Sequence, residues 1–311
     1  MLKTDHVNEL KEILIADRVH KIEEGKLYNC LRESKSSQFY AELFSDSFQG
    51  KAKPELYDKV KAEGEQKGSA YRIMNGLVDF LKGELSADAI VIEIGGGVHQ
   101  KRSGDAYARF KNYYPLDISY SSISRYTTTF NKTGFVADAQ VLPFKDGTVD
   151  CIFTHTFLEH PIHPDKVLEE IVRVLKPGGI VIHNDAWFCR WWHTYGIVGL
   201  KRFSSMALFE KLIWMAAKIT EIPFLRIPPI ILRRLYAEVF TSKNIKVPLR
   251  YRKLKPNYEL HLGCDEDAAS RIDPMDVVRF YESRDFSLIE PLSFFQRIFY
   301  GNKPIALRKN P

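Results

Sequence analysis

The stretch Val91-Ile92-Glu93-Ile94-Gly95-Gly96-Gly97 decides the fold of this 311-residue chain. Its β-branched residues predict a short buried strand, and its three glycines predict a tight turn in which a ligand can approach the backbone closely. A dinucleotide-binding turn would carry another glycine at position 100, where Gln100 stands. Glu93, two residues before the first glycine, can instead bind a ligand's ammonium group. The turn therefore favours an amino-acid moiety over a pyrophosphate.

Further strand candidates follow along the chain, and helical patterns separate several of them. They are residues 114–118, 134–137, 150–154, 179–183, 286–290 and 304–308. The clearest helix runs from Pro164 to Leu175, and Lys176-Pro177-Gly178-Gly179 ends it. Strands alternating with helices predict an α/β fold with a doubly wound, mostly parallel sheet of seven strands. Ligands of such sheets bind at the carboxyl ends of the strands.

Two more acids stand at predicted strand ends. Asp117 closes the second strand, where a carboxylate can accept both hydroxyls of a ribose. Asp138 follows the third strand, where a carboxylate can accept from an adenine amino group. Each acid alone also fits a solvated loop residue or a helix N-cap. Three acids at three successive strand ends, with Glu93 as the first, predict a nucleoside-binding edge.

At this point the sequence resembles a known family, the class I S-adenosylmethionine-dependent methyltransferases of the type 11, ubiquinone-biosynthesis-like branch. The resemblance covers about residues 75–185 and, more loosely, 259–309, and it implies a Rossmann-like methyltransferase fold. The matching motifs are the glycine stretch, Leu116-Asp117-Ile118-Ser119, Asp138-Ala139, Leu142-Pro143-Phe144, Val149-Asp150-Cys151-Ile152-Phe153, Leu158-Glu159-His160 and Arg173-Val174-Leu175-Lys176-Pro177-Gly178-Gly179.

The resemblance implies S-adenosylmethionine as the cofactor and a role for each matching residue. Glu93 and the turn Gly95, Gly96 and Gly97 would hold the methionine part. The remaining contacts would come from residues after the next three strands: Asp117 and Ile118 at the ribose and the adenine, Asp138 and Ala139 at the adenine, and His155 and Thr156 beside the sulfonium. The sequence departs from the family at His99, where a third glycine is common, and 98–111 lacks the usual helical pattern.

A hydroxyl acceptor needs a base, and histidine is the default base near neutral pH. His160 and His193 are the best candidates. His160 also fits a structural residue in the turn before Pro161, and His193 fits an aromatic packing cluster in 191–195. The spacing of His155, His160 and His163 is not that of helical metal ligands, so we expect no metal.

Residues 186–258 form a basic, aromatic segment between the last two parts of the predicted sheet. It holds 14 basic and three acidic residues, a net charge of +11, whereas the whole chain is +6. Leu208, Phe209, Leu212, Ile213, Ala216 and Ile219 form an amphipathic stripe. The segment is either a helical lid that packs this stripe and leaves its lysines in water, or a surface that binds an anionic membrane or a phosphate-bearing or lipid-linked acceptor. Nucleic acid is disfavoured, because no RNA-binding module appears.

These observations predict four parts: an N-terminal helical extension (1–74), the S-adenosylmethionine-binding core (75–185), the inserted acceptor lid (186–258) and the C-terminal part of the core sheet (259–311). Scattered cysteines and the lack of a signal-peptide pattern predict a cytoplasmic protein, peripheral at the membrane if the lid binds lipid. The predicted function is methylation, at oxygen, of a small, lipid-linked or glycan-linked acceptor. Short weak matches at His193, Tyr195 and 201–204 are the hint toward glycans. The alternatives are a non-catalytic binding or scaffold protein and a nicotinamide oxidoreductase.

Overall fold

The structure is a computed structural model, and the chain divides into two compact units. The first comprises Met1–Phe157, Asp165–Asn184 and Arg308–Pro311, and the second comprises Leu158–Pro164 and Asp185–Leu307. The residues that the structure describes are 10, 12–31, 80–81, 83–96, 110–192, 203–220, 222–240, 245–257 and 267–311. The four predicted parts are continuous segments of the chain, whereas each of these units combines separate segments. The division into two units therefore does not test the predicted boundaries, which remain predictions.

The described residues include eleven strands. They are β1 (Lys21–Glu23), β2 (Leu27–Asn29), β3 (Ile90–Ile94), β4 (Asn112–Asp117), β5 (Gly134–Val136), β6 (Val149–His155), β7 (Leu175–Asn184), β8 (Tyr251–Lys253), β9 (Ser270–Ile272), β10 (Phe286–Leu288) and β11 (Ile305–Lys309), of which β8 to β10 and the first three residues of β11 belong to the second unit. The sheet order is β1-β2-β5-β4-β3-β6-β7-β11-β10, and β8 pairs with β9 in a separate two-stranded antiparallel sheet. This large α/β sheet confirms the predicted fold class.

Six α-helices lie in the described residues: α1 (Tyr120–Phe130), α2 (Pro164–Val174), α3 (Leu208–Thr220), α4 (Pro223–Phe240), α5 (Pro274–Glu282) and α6 (Phe294–Ile298). In α2, Val167, Leu168 and Ile171 are fully buried, as the apolar spacing of the sequence predicts. The chain enters β7 directly at Leu175, and Gly178 takes the positive φ (+79°) that this strand needs near its start. None of the described helices is long and apolar enough to cross a membrane.

Parallel pairing places the central strands in register. Ile94 of β3 pairs with Leu116 of β4 and with Thr154 of β6, while Asp117 of β4 pairs with Val136 of β5. The chain runs from β3 outward to β5 on one side and then from β6 outward to β7 on the other. The strand order therefore reverses between β3 and β6, and crevices at such points bind ligands in open α/β sheets.

The N-terminal segment differs from its prediction. We expected 1–74 to be helical, but β1 and β2 form an antiparallel hairpin, and β2 continues the sheet by pairing in parallel with β5. The described sheet consequently has nine strands instead of seven. Glu24 and Gly25 both have positive φ (50° and 70°), so the turn between β1 and β2 matches the twist of a hairpin.

The second unit contains the helices of the predicted lid. In α3, Ile213 and Ala217 pack against Trp192 and Met206, with Trp191 and Trp214 at the edge of this cluster. That packing agrees with the aromatic-cluster alternative for residues 191–195. The rest of the predicted stripe is not packed in this way, since Leu208, Phe209, Leu212 and Ile219 are all more than half exposed.

Candidate functional site

The carboxyl ends of β3, β4, β5 and β6 meet at one edge of the first unit's sheet. The register described above places Glu93, Asp117 and Asp138 at the ends of three neighbouring strands. His155 ends β6 beside β3, opposite Asn184 of β7. The structure therefore brings the predicted acids and His155 to the same edge.

The glycine turn after β3 is tightly enclosed. Gly95 has φ +80°, and its N–H donates to the Leu116 carbonyl over 2.8 Å. A Cβ on Gly95 would lie 2.9 Å from the Phe157 ring, and one on Gly96 would lie 3.0 Å from Oε2 of Glu93. Gly95 therefore requires glycine because of its positive φ and its contact with the Phe157 ring, whereas a side chain at Gly96 would press on the Glu93 carboxylate and Pro115. Gly97 lies outside the described residues.

Glu93 is a buried carboxylate, only 1% exposed. The hydroxyl of the buried Tyr113, on the neighbouring strand β4, donates to its Oε2. The pKa of Tyr126 is raised, chiefly by burial and also by the negative charge of Glu93. Sequence reasoning missed Tyr113, because only the pairing of β3 with β4 brings its hydroxyl to Glu93.

Local hydrogen bonds orient the other two acids. Oδ1 of Asp117 accepts from the N–H of Ser119 over 2.8 Å, and Ser119 in turn caps α1. Oδ1 of Asp138 accepts from the backbone N–H of Gln140 over 2.9 Å. Each acid thus accepts from a backbone N–H two residues later, as in the loop and cap roles that the sequence also allowed. These bonds hold each carboxylate at its strand end. Ile118 and Ala139 follow directly after the two acids.

The end of β6 carries His155 and Thr156. The side-chain amide nitrogen of Asn184 lies 2.8 Å from Nδ1 of His155. The side-chain amide of Asn184 therefore orients the imidazole through Nδ1. Thr156 has φ +45° and donates its N–H to the Asn184 carbonyl over 3.1 Å. The predicted sulfonium-side pair is thus held by the neighbouring strand β7.

His160 belongs to the second unit, where two carboxylates face its ring. Nδ1 lies 3.2 Å from Asp267, and Nε2 lies 3.7 Å from Glu159. The backbone carbonyl of Glu159 accepts from the N–H groups of Ala269 and Ser270. Two carboxylates beside the imidazole are compatible both with a structural turn residue and with a base. His193 lies outside the described residues.

Acids at successive strand ends beside an enclosed glycine turn define a ligand-binding domain of the doubly wound α/β class. Residues 92–183 match the family model described as "Methyltransferase domain", of the type 11 group. Residues 92–183 are therefore similar to the class I, type 11 methyltransferase domains, which confirms the resemblance seen in the sequence.

Curated relatives with similar sequences are ubiquinone/menaquinone biosynthesis C-methyltransferases (UbiE). Those of Citrobacter koseri and Escherichia coli are each 29% identical over 157 residues, which are 42% of this chain and 61% of theirs. The match thus spans about three fifths of these relatives. Among solved structures, a putative methyltransferase from Bacillus halodurans is 12% identical with a TM-score of 0.44, covering 78% of this chain and 100% of that one. The amino pentose methyltransferase CalS10 from Micromonospora echinaspora is 15% identical with a TM-score of 0.36, covering 42% and 57%.

Proposed function

We propose that this protein is an S-adenosylmethionine-dependent methyltransferase. The observation that carries the proposal is the row of Glu93, Asp117 and Asp138 at neighbouring strand ends, beside a glycine turn in a segment of the methyltransferase family. An ammonium group, a ribose and an adenine each find a fitting acceptor in such a row.

The residues at this edge fit the cofactor. A Cβ on Gly96 would crowd the Glu93 carboxylate, so glycine at this position leaves room beside the group that would bind the methionine ammonium. Asp117 and Ile118 would hold the ribose, and Asp138 and Ala139 the adenine. When bound, S-adenosylmethionine supplies a methyl group already activated by its sulfonium. The protein's own task is then to orient an acceptor and to exclude water.

Calorimetric titration of the full chain with S-adenosylmethionine tests the proposal. Asp117→Asn should raise the Kd about tenfold or more, because a charge-assisted hydrogen bond contributes about 1.5–3 kcal/mol. Asp146→Asn is the matched control, since exposed Asp146 precedes β6 and so lies at the amino end of the strands. No donor binding by the unaltered protein, or equal effects of the two substitutions, would falsify the assignment.

We propose an oxygen atom as the methyl acceptor, with His160 or His193 as the base. If His160 is the base, His160→Gln should lower kcat about 10²–10⁴-fold with the melting temperature unchanged. If it is a structural turn residue, the melting temperature should fall and kcat of the folded protein should persist. A screen of cell extract with labelled donor would identify a small, lipid-linked or glycan-linked product. A carbon–methyl bond in the product, as the names of the curated relatives suggest, would overturn the oxygen proposal.

A non-catalytic binding or scaffold protein is the alternative. It would bind S-adenosylmethionine, as the strand-end acids lead one to expect, but label no product in that extract. Donor binding and methyl transfer are therefore measured separately, on the same preparation.

We also propose that α3 and α4 contact an anionic membrane surface. Helix α4 has an inverted pattern: Arg234 is 2% exposed, whereas its apolar residues face outward. The exposed apolar residues of α4 are Phe224, Leu225, Ile227, Leu232, Leu235, Tyr236, Val239 and Phe240, and those of α3 are Leu208, Phe209, Leu212, Met215 and Ile219. Exposed apolar side chains in this number on two consecutive helices suit an interaction surface, since contiguous apolar patches mark interaction sites.

The charge of the wider segment 186–258, which includes both helices, favours an anionic partner. With 14 basic residues against three acids, this segment would attract anionic headgroups while the apolar side chains of α3 and α4 enter the interface. Flotation with phosphatidylserine vesicles should bind the full chain at low salt, and phosphatidylcholine alone should bind it less. Leu235→Asn with Phe240→Asn should reduce flotation about tenfold or more. Val141→Asn, an exposed apolar residue of the first unit, is the control. Absence of flotation, or a concentration-dependent dimer that buries this face, would overturn the proposal.

A further inference from the structure

A cavity of about 310 Å³ lies within the second unit. Four arginines line it from three elements: Arg233 on α4, Arg250 and Arg252 at β8, and Arg271 on β9. One carboxylate, Asp273, lines it as well. The lining therefore carries a clear excess of positive charge.

The pairing of β8 with β9 holds two of these guanidinium groups together. Arg252 stands directly opposite Arg271 in the antiparallel register. Like charges directly opposite each other on paired strands repel, so this position concentrates positive charge at the cavity. Asp273 and Asp276 both pair with Arg233, and Asp273 also pairs with the buried Arg234, so these carboxylates are engaged with α4.

The opposite part of the lining is apolar. Phe188, Pro229, Ile230 and Ile272 contribute to it. Phe188 has φ +62°, a left-handed conformation that is an outlier for a bulky residue, and its N–H donates to the Ile272 carbonyl over 3.0 Å. Such strained residues cluster at ligand sites, where the surrounding structure holds them in place.

We propose that this cavity binds a phosphate-bearing organic ligand. Guanidinium groups match phosphate oxygens in geometry and charge, and several converging arginines suit a group with two or more negative charges. The apolar wall beside Phe188 would contact the organic part of the same ligand. The inference does not depend on methyl transfer, since every lining residue belongs to the second unit.

The primary test is calorimetric titration of the full chain with pyrophosphate at about 0.15 M salt. We expect saturable binding, and Arg252→Gln should weaken it about tenfold or more, since a charge-assisted bond contributes about 1.5–3 kcal/mol. Lys253→Gln is the matched control: it removes the same charge from the next residue of β8, which does not line the cavity. The affinity of Lys253→Gln for pyrophosphate should stay within about twofold of that of the unaltered protein.

Stability provides an independent readout. Without ligand, Arg252→Gln should leave the melting temperature unchanged or higher, because it removes the cross-strand repulsion. At the same concentration, pyrophosphate should raise the melting temperature of the unaltered protein more than that of Arg252→Gln. No binding of pyrophosphate, or equal weakening by Arg252→Gln and Lys253→Gln, would overturn the proposal.

The organic part of the ligand is distinguished with two further probes. Uridine diphosphate represents a nucleotide source, and dihexanoyl phosphatidic acid represents a lipid headgroup with an apolar tail. Tighter binding of either probe than of pyrophosphate, lost in Phe188→Ala, supports an organic phosphate and identifies its source. Binding of both probes weaker than that of pyrophosphate would overturn the organic part of the proposal.

Discussion

Replacing Asp273 by asparagine tests the buried ion pair between α4 and the start of α5. Nε and Nη2 of Arg234 donate to the two oxygens of Asp273 over 3.0 and 2.8 Å, and both side chains are 2% exposed. Oδ1 of Asp273 also caps α5 by accepting from the Met275 N–H over 2.9 Å. Asparagine keeps a capping oxygen, so the substitution removes the charge and not the cap.

We expect the free energy of unfolding to fall by about 3 kcal/mol. Breaking a buried ion pair by removing one partner costs about 3–5 kcal/mol, because the remaining charge stays buried. Arg234 also donates to the carbonyls of Ile298 and Tyr300, over 3.0 and 2.8 Å, which favours the lower end. At about 2–4 °C per kcal/mol, the melting temperature should fall by roughly 6–12 °C.

Calorimetric and circular-dichroism melts at pH 7 measure the shift, with Asp146→Asn as the control. Asp146 pairs with Arg173 over 2.7 Å, but its side chain is 78% exposed. An exposed pair contributes about 0–1 kcal/mol, so this control should move the melting temperature by no more than about 4 °C. A shift for Asp273→Asn no larger than that of Asp146→Asn would refute the reasoning.

Three further predictions follow from the first unit. Burial raises the pKa of Glu170, but hydrogen bonds led by Arg173 more than offset this, so its pKa lies below the usual value. The Glu170 carboxylate therefore stabilises the fold above about pH 4.5, and this stabilisation is lost as the pH falls through its lowered pKa. Between about pH 5 and 3, the urea midpoint of Glu170→Gln should consequently fall less than that of the unaltered protein. Burial raises the pKa of Cys30 to about 12, so iodoacetamide at pH 8 should label it far more slowly in native than in unfolded protein, as peptide mass spectrometry would reveal. Tyr113→Phe removes the hydroxyl that donates to Glu93, so the Kd for S-adenosylmethionine should rise about tenfold. Tyr114→Phe on the same strand should leave that Kd unchanged.

The central strands could be predicted closely from the sequence. Residues 90–94 and 149–155 are near-continuous apolar runs, because strands in the middle of a parallel sheet are covered on both faces. The hairpin β1–β2 could not, since each strand has three residues and Lys21 and Glu23 interrupt the apolar pattern. Its stability comes from pairing with β5, about a hundred residues away, and local sequence carries no record of that pairing.

The candidate site likewise has residues that local sequence predicts and residues that only the pairing of strands brings together. Glu93, Asp117 and Asp138 were predictable because each directly follows or ends a recognisable strand, and the parallel topology then aligns them. Tyr113 was not, because its bond to Glu93 depends on which strands are neighbours. The arginine cavity was also missed, because Arg252 and Arg271 are brought together by the antiparallel pairing of β8 with β9. These two strands are short and charged, and they give no period-two apolar signal.

Helix α4 explains why an amphipathic pattern alone can mislead. Periodicity separates two faces of a helix but does not say which one is buried, and the usual assumption buries the apolar face. In α4, ion pairs with α5 and its N-cap reverse that choice. Asp273 accepts from Arg234 of α4, and Glu238 of α4 accepts from Arg279 of α5 over 2.8 Å. Since these ion pairs orient the helix, most of its apolar residues stay exposed, and the proposed membrane contact rests on that exposure. The inverted helix thus links the stability of the second unit to the proposed membrane contact, and Asp273→Asn should weaken both together.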